Sequence, residues 1–105
     1  MDLFCDKHII KPSKIHGEGE FTTVFCEKDE IIDIGIEYMF YFVPQITKFG
    51  SMINHSYNPS CYLAYDKLKN VYYVVAKHKL KPNTEITLNY DGTPWFIEKA
   101  KDNYI

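Results

Sequence analysis

The chain has 105 residues, the size of a single domain covering residues 1–105. Its hydrophobic residues (46%) and aromatic residues (16%) argue against disorder, and nine Tyr with seven Phe favour strands over helices. The net charge is −2 and all twelve basic residues are Lys, so the bidentate fork that reads guanine and grips phosphate is missing, which argues against direct nucleic-acid recognition.

In chain order, His8–Lys11 reads as a short strand ended by Pro12, and Lys14–Gly19 as a turn carrying two glycines. Glu20–Phe25 is β-branched and aromatic, a strand. Lys28-Asp29 turns the chain into a strand over Glu30–Ile34, with Gly35 as a bulge or bend. Tyr38–Val43 is apolar and fits either a strand or a buried helix, and Pro44 is expected to end it. A helical turn fits between Ile46 and Ile53, before a loop at Asn54-His55-Ser56. Cys61–Tyr65 and Val71–Ala76 form a hairpin through Asp66–Asn70. After a turn at Lys81–Thr84, Glu85–Asn89 is the last strand, and Thr93-Pro94 supplies an N-cap and first position for a short helix. The expected fold class is mainly β, several small sheets with little helix.

Cys5, Cys26 and Cys61 are odd in number and contain no Cys-x-x-Cys pair, which argues against both a disulfide framework and a structural zinc site; no metal is expected. No apolar run approaches the ~18 residues of a membrane helix. Met1–His8 has neither the basic start nor the apolar stretch of a secretory signal. The expectation is an intracellular chain, not secreted, with no membrane partner.

Two segments concentrate polar chemistry. Asn54-His55-Ser56-Tyr57-Asn58-Pro59 sets an amide, an imidazole and a hydroxyl side by side, and Glu85-Ile86-Thr87-Leu88-Asn89-Tyr90 delivers a tyrosine at a strand end. Taken alone, Asn54-His55-Ser56 is equally a glycosylation sequon, and Tyr90 equally a core tyrosine. Gly17-Glu18-Gly19 before a strand is a tight turn, or a place where backbone approaches a ligand. Glu18 and Glu20 read as solvated strand edges.

The order and spacing of Gly17–Phe21, Glu27–Ile32, Phe49–Pro59 and Glu85–Tyr90 resemble those of a SET domain, the fold of most protein-lysine methyltransferases, and are most similar to the minimal viral type without flanking domains. The resemblance implies a C-terminal pseudoknot joining the last two segments. It implies S-adenosylmethionine as cofactor, with Gly17, Glu18 and Gly19 along its methionine part, Asn54 on its amino-acid end and His55 on its adenine side. It implies Tyr90 as the catalytic residue at the point of methyl transfer, where a neutral lysine amine displaces the sulfonium and alignment matters more than a strong base. Trp95 would cover adenine or close the lysine channel, and Tyr38 and Leu88 would line that channel. Leu88 lacks the hydroxyl that restricts rotation of a methylated amine, so more than one methyl addition is expected.

Three departures stand against the family pattern. The segment between Glu37 and Phe49 is short where the family has a helical insert that shapes the peptide groove, Ser60 replaces the preferred Asn, and cysteine-rich flanks are missing. The expected function is transfer of a methyl group to a lysine-containing protein or peptide, histone tails being the default substrate class by analogy, with a nuclear location in that case. The alternative is a SET-like module that binds a basic peptide or protein partner with weak or no catalysis. A homodimer, one copy completing the groove of the other, is left open.

Overall fold

The computed structural model describes residues 7–40 and 42–92. The expected helix at Thr93-Pro94 and the candidate Trp95 lie outside the described residues. Among the described residues the architecture is mainly β, as expected, built of three small sheets around one core.

Strand β1 (His8–Pro12) pairs antiparallel with β2 (Glu18–Thr22), His8 opposite Thr22 and Ile10 opposite Glu20. The connection turns on Gly17 at φ +49, a left-handed conformation that costs glycine little. Strand β3 (Ile31–Met39) lies inside a four-stranded sheet of order β4-β3-β7-β6, where β4 is Val43–Ile46, β6 Cys61–Asp66 and β7 Val71–Ala76. Its register against β7 shifts twice, once between Ile34 and Ile36, so the bulge expected at Gly35 is there. Pro44 does not end the apolar run as expected. It sits inside β4 opposite Tyr38, tolerated because β4 is an edge strand where a missing N–H breaks no ladder. The expected strand Glu20–Phe25 starts two residues earlier and stops at Thr22.

The expected helical turn is α1 (Lys48–Ser51). Thr47 caps it: its hydroxyl accepts from the Gly50 N–H (3.0 Å) and donates to the Ile34 carbonyl (2.7 Å), tying the turn to the β3 bulge. The contact is close enough that a Cβ on Gly50 would stand 2.3 Å from the Gly35 carbonyl oxygen.

The third sheet is two residues wide: β5 (Asn54–His55) pairs in parallel with β8 (Thr87–Leu88), Asn54 opposite Thr87 and His55 opposite Leu88. Bridges at Phe21–Glu85 and Cys26–Leu80 stitch this sheet and its approach to the N-terminal half. The core gathers Cys26, Ile32, Phe49, Ile53, Cys61, Val74, Ala76, Leu80, Ile86 and Leu88. Each large aliphatic buried there contributes about 1.5–3 kcal/mol of transfer free energy. Ile53 and Ile86 immediately flank the parallel pair, so the core itself holds the two polar segments side by side.

Candidate active site

The parallel pair puts Asn54 against the glycine turn. Asn54 Nδ2 donates to the His16 carbonyl (3.0 Å), the Glu18 carbonyl (3.2 Å) and Glu85 Oε2 (3.0 Å). The Ser13 hydroxyl lies 2.8 Å from both Glu85 carboxylate oxygens and donates to them. Gly19 must be glycine for this arrangement: a Cβ there would come within 2.5 Å of Glu85 Oε2 and 3.1 Å of Asn54 Nδ2. The turn, β5 and the start of the last strand thus meet at one amide. Because only acceptors surround Nδ2, the amide orientation is fixed and Oδ1 faces the other way, with no protein partner among the described residues.

His55 is completely buried, and its Nδ1 accepts the Tyr90 backbone N–H at 3.0 Å. Accepting there leaves the ring proton of a neutral imidazole on Nε2. The ring meets Tyr57 edge-on (centroids 4.3 Å, 86°) and lies 5.2 Å from the Tyr90 ring. Its imidazole therefore acts on Tyr90. Tyr90 opens a single 3-10 turn, Tyr90–Gly92, and its hydroxyl donates to the Ile53 carbonyl. The phenol oxygen keeps lone pairs, and donation to a carbonyl strengthens it as an acceptor.

Ser60, the departure from the family pattern, is buried and acts as a lock. Its N–H donates to Thr87 Oγ1 (2.9 Å), its hydroxyl donates to the Glu85 carbonyl (2.8 Å), and the Thr87 N–H donates back to that hydroxyl (3.0 Å). The serine thereby holds the chain after Pro59 to β8, the strand that leads into Tyr90.

The two channel candidates stand in different surroundings. Leu88 is buried opposite His55 and borders a cavity of about 250 Å³ lined also by Pro59, Cys61, Tyr62, Leu63, Lys77 and Asn89. Tyr38 belongs to a row of tyrosines across the four-stranded sheet: its ring centroid is 6.4 Å from Tyr72, which is 5.0 Å from Tyr65. Burial, then the neighbouring Tyr72, pushes its hydroxyl above the ordinary tyrosine range. Burial also pushes the Cys61 thiol up to about 12, so it stays protonated and unreactive.

Glu18 is exposed, as expected, and only its carbonyl serves Asn54. Glu20 is not a solvated edge. It is 2% exposed, and its Oε1 lies 2.9 Å from His8 Nδ1, while His8 Nε2 lies 2.7 Å from Asp33 Oδ2. The Phe49 ring lies against the imidazole, centroids 4.1 Å apart. Burial pulls the His8 pKa down, but the Glu20 and Asp33 carboxylates together outweigh it and the net shift is upward. Sequence reasoning missed Glu85, Ser13 and this clamped histidine. The available signal was strand pairing: β1 against β2 puts His8 diagonal to Glu20.

The model of the SET domain matches residues 3–91. The chain belongs to the SET domain family. A crystal structure of a Plasmodium falciparum protein, described as a candidate histone methyltransferase, is similar at 26% identity and a TM-score of 0.69, covering 87% of this chain and 97% of that one. No curated protein matches. The parallel β5–β8 pair therefore joins, within a SET fold, the two segments in which the family's motifs were read, and methyl transfer to lysine is the general activity of that family.

Proposed function

We infer that this SET domain is a protein-lysine methyltransferase that uses S-adenosylmethionine. The observation carrying this reading is the double tie across the parallel pair: Asn54 bonded to the Gly17–Gly19 turn, and its neighbour His55 bonded to Tyr90. The residues fit the cofactor. The Asn54 Oδ1 acceptor suits an α-ammonium, and the Glu85 carboxylate nearby adds negative charge suited to a cationic molecule. The cofactor supplies an activated methyl on a cationic sulfur.

Tyr90 is the catalytic residue of this reading. Its ring is held by His55 through the backbone and by Ile53 through the hydroxyl, so the phenol oxygen is fixed before substrate arrives. A fixed acceptor orients an incoming amine N–H and makes weak C–H···O contacts to a methyl in flight. Leu88 offers an apolar wall with no hydroxyl. The substrate is a lysine side chain of a protein or peptide, with histone tails as the class to test first; a nuclear site of action follows for that substrate.

The short hairpin between Met39 and Val43 favours a second reading, a binding module, because the insert that would shape a peptide groove is replaced by a turn with Phe40 and Phe42 exposed. Calorimetric titration with S-adenosylmethionine separates the readings. Stoichiometric binding supports the enzyme. No binding refutes it, and binding without transfer to any protein favours the module.

A further inference from the structure

We propose that Glu85 and Ser13 are positioning residues for the cofactor, acting through Asn54; this rests on the methyltransferase reading above. Asn54 Nδ2 has two hydrogens and three acceptors within 3.2 Å: the carbonyls of His16 and Glu18, and Glu85 Oε2. The carbonyls belong to a turn whose conformation must itself be held. Glu85 holds it from outside, because Ser13 lies at the other end of that turn and donates to both carboxylate oxygens at 2.8 Å. The Ser13 hydroxyl also accepts from the Ile15 N–H at 2.9 Å, and the Ser13 N–H donates to the Gly17 carbonyl at 2.8 Å. One carboxylate thus braces the turn and the amide together.

Glu85 is built in rather than incidental. Its backbone pairs with Phe21 and its carbonyl accepts from Ser60, so its position does not depend on its side chain. Its donors Ser13 and Asn54 are neutral, and no Lys or His forms an ion pair with it among the described residues. A charged acceptor makes a shorter and stronger bond than a neutral one, and it forbids the flipped amide, which would press oxygen against oxygen. Glu85 and Ser13 therefore decide that Asn54 presents an acceptor, not a donor, toward the cofactor. The selectivity that follows is for a cationic amino-acid group at that position.

The test is calorimetric titration of the full chain with S-adenosylmethionine, comparing wild type with Glu85→Ala, Glu85→Gln and Ser13→Ala. Glu27→Gln, an exposed carboxylate 4.0 Å from Lys79, controls for loss of one negative charge. The dissociation constant is expected to rise about tenfold or more in Glu85→Ala, the loss of one charge-assisted bond. The rise is smaller in Glu85→Gln, whose carbonyl oxygen still accepts from Asn54 while its amide turns to Ser13. Glu27→Gln stays within about twofold of wild type. In turnover assays KM for the cofactor rises several times more than kcat falls, a split that general destabilisation does not produce. Wild-type affinity in Glu85→Ala overturns the proposal, as does a loss in Glu27→Gln equal to that in Glu85→Ala. Should Glu85→Ala unfold, Ser13→Ala decides by the same KM split, since it leaves the carboxylate in place. A wild-type chain that does not bind overturns the methyltransferase reading as well, and that titration is read before any variant.

Discussion

The Tyr90 hydroxyl donates to the carbonyl of Ile53, the residue immediately before Asn54. The residue before the cofactor amide therefore anchors the tyrosine, and the residue after it, His55, receives the tyrosine's N–H, so the cofactor and transfer residues share one segment. Replacing Tyr90 by Phe removes both the anchor and the oriented acceptor while leaving Asn54 and its partners intact. Turnover is expected to fall at least about a hundredfold, within the range seen when a positioned catalytic group is lost. Cofactor affinity measured by calorimetry changes by less than about threefold, because the variant keeps the backbone N–H that His55 uses. Unchanged turnover would remove Tyr90 from its role.

The clamp on His8 predicts a pH dependence of stability. Its pKa is raised in the folded chain above the ordinary value of 6.5. A raised pKa means the folded state binds the proton more tightly than the unfolded chain. The contribution is therefore fully present below 6.5 and lost as pH rises through the folded value. The melting temperature is expected to decline from pH 6 toward pH 9 in wild type by more than in His8→Gln, whose side chain does not titrate. Parallel curves for the two proteins would show that the imidazole is not held as a cation between Glu20 and Asp33.

Helix α1 reaches the central sheet through two glycines. A Cβ on Gly50 meets backbone at Gly35, not a flexible side chain, so α1 or β3 must shift. Overpacking of this kind costs about 1–3 kcal/mol, which lowers the melting temperature by roughly 4 °C or more in a domain of this size. Thermal melts of Gly50→Ala should show that drop, with Thr47→Ala losing a comparable amount through its cap and its bond to Ile34. An unchanged melt for Gly50→Ala would mean that the approach of α1 to β3 is not as close as described.

Much of this fold is written in local pattern. The β6–β7 hairpin, the Gly35 bulge and the turn at Gly17 follow from alternation and from residues that tolerate unusual backbone, and the structure has each of them. What was not legible is non-local. The β5–β8 pair is two residues long on each side, too short to carry any periodicity, and its parallel register depends on the core around Ile53 and Ile86. Glu20 reads as a solvated strand edge from local pattern, until His8 and Asp33 are brought to it from two other strands. The sequence marks Glu85 as part of a strand and of a motif segment but not as a site residue, since its partners Ser13 and Asn54 lie 72 and 31 residues away in sequence. Asn54, His55 and Tyr90 follow from the resemblance, and the bond between His55 and Tyr90 supplies the physical reason for the spacing of those two.

Leu88 sets an expectation for the product. With no hydroxyl at that buried position, nothing from it holds a water or blocks rotation of a methylated amine. Prolonged incubation should give dimethyl or trimethyl lysine, read by mass spectrometry of the modified peptide. Monomethyl product alone at full turnover would contradict the assignment of Leu88 to the lysine channel.

The most direct test of the central claim is methyl transfer itself. The full chain is incubated with S-adenosylmethionine carrying a radiolabelled methyl group, together with core histones and, separately, a cell lysate, and acid hydrolysates are resolved for methylated lysine. Label in methyl-lysine from at least one protein, abolished in Tyr90→Phe, is the result predicted. Binding of the cofactor with no label in lysine from any protein would contradict the account and leave a SET-fold binding module in its place.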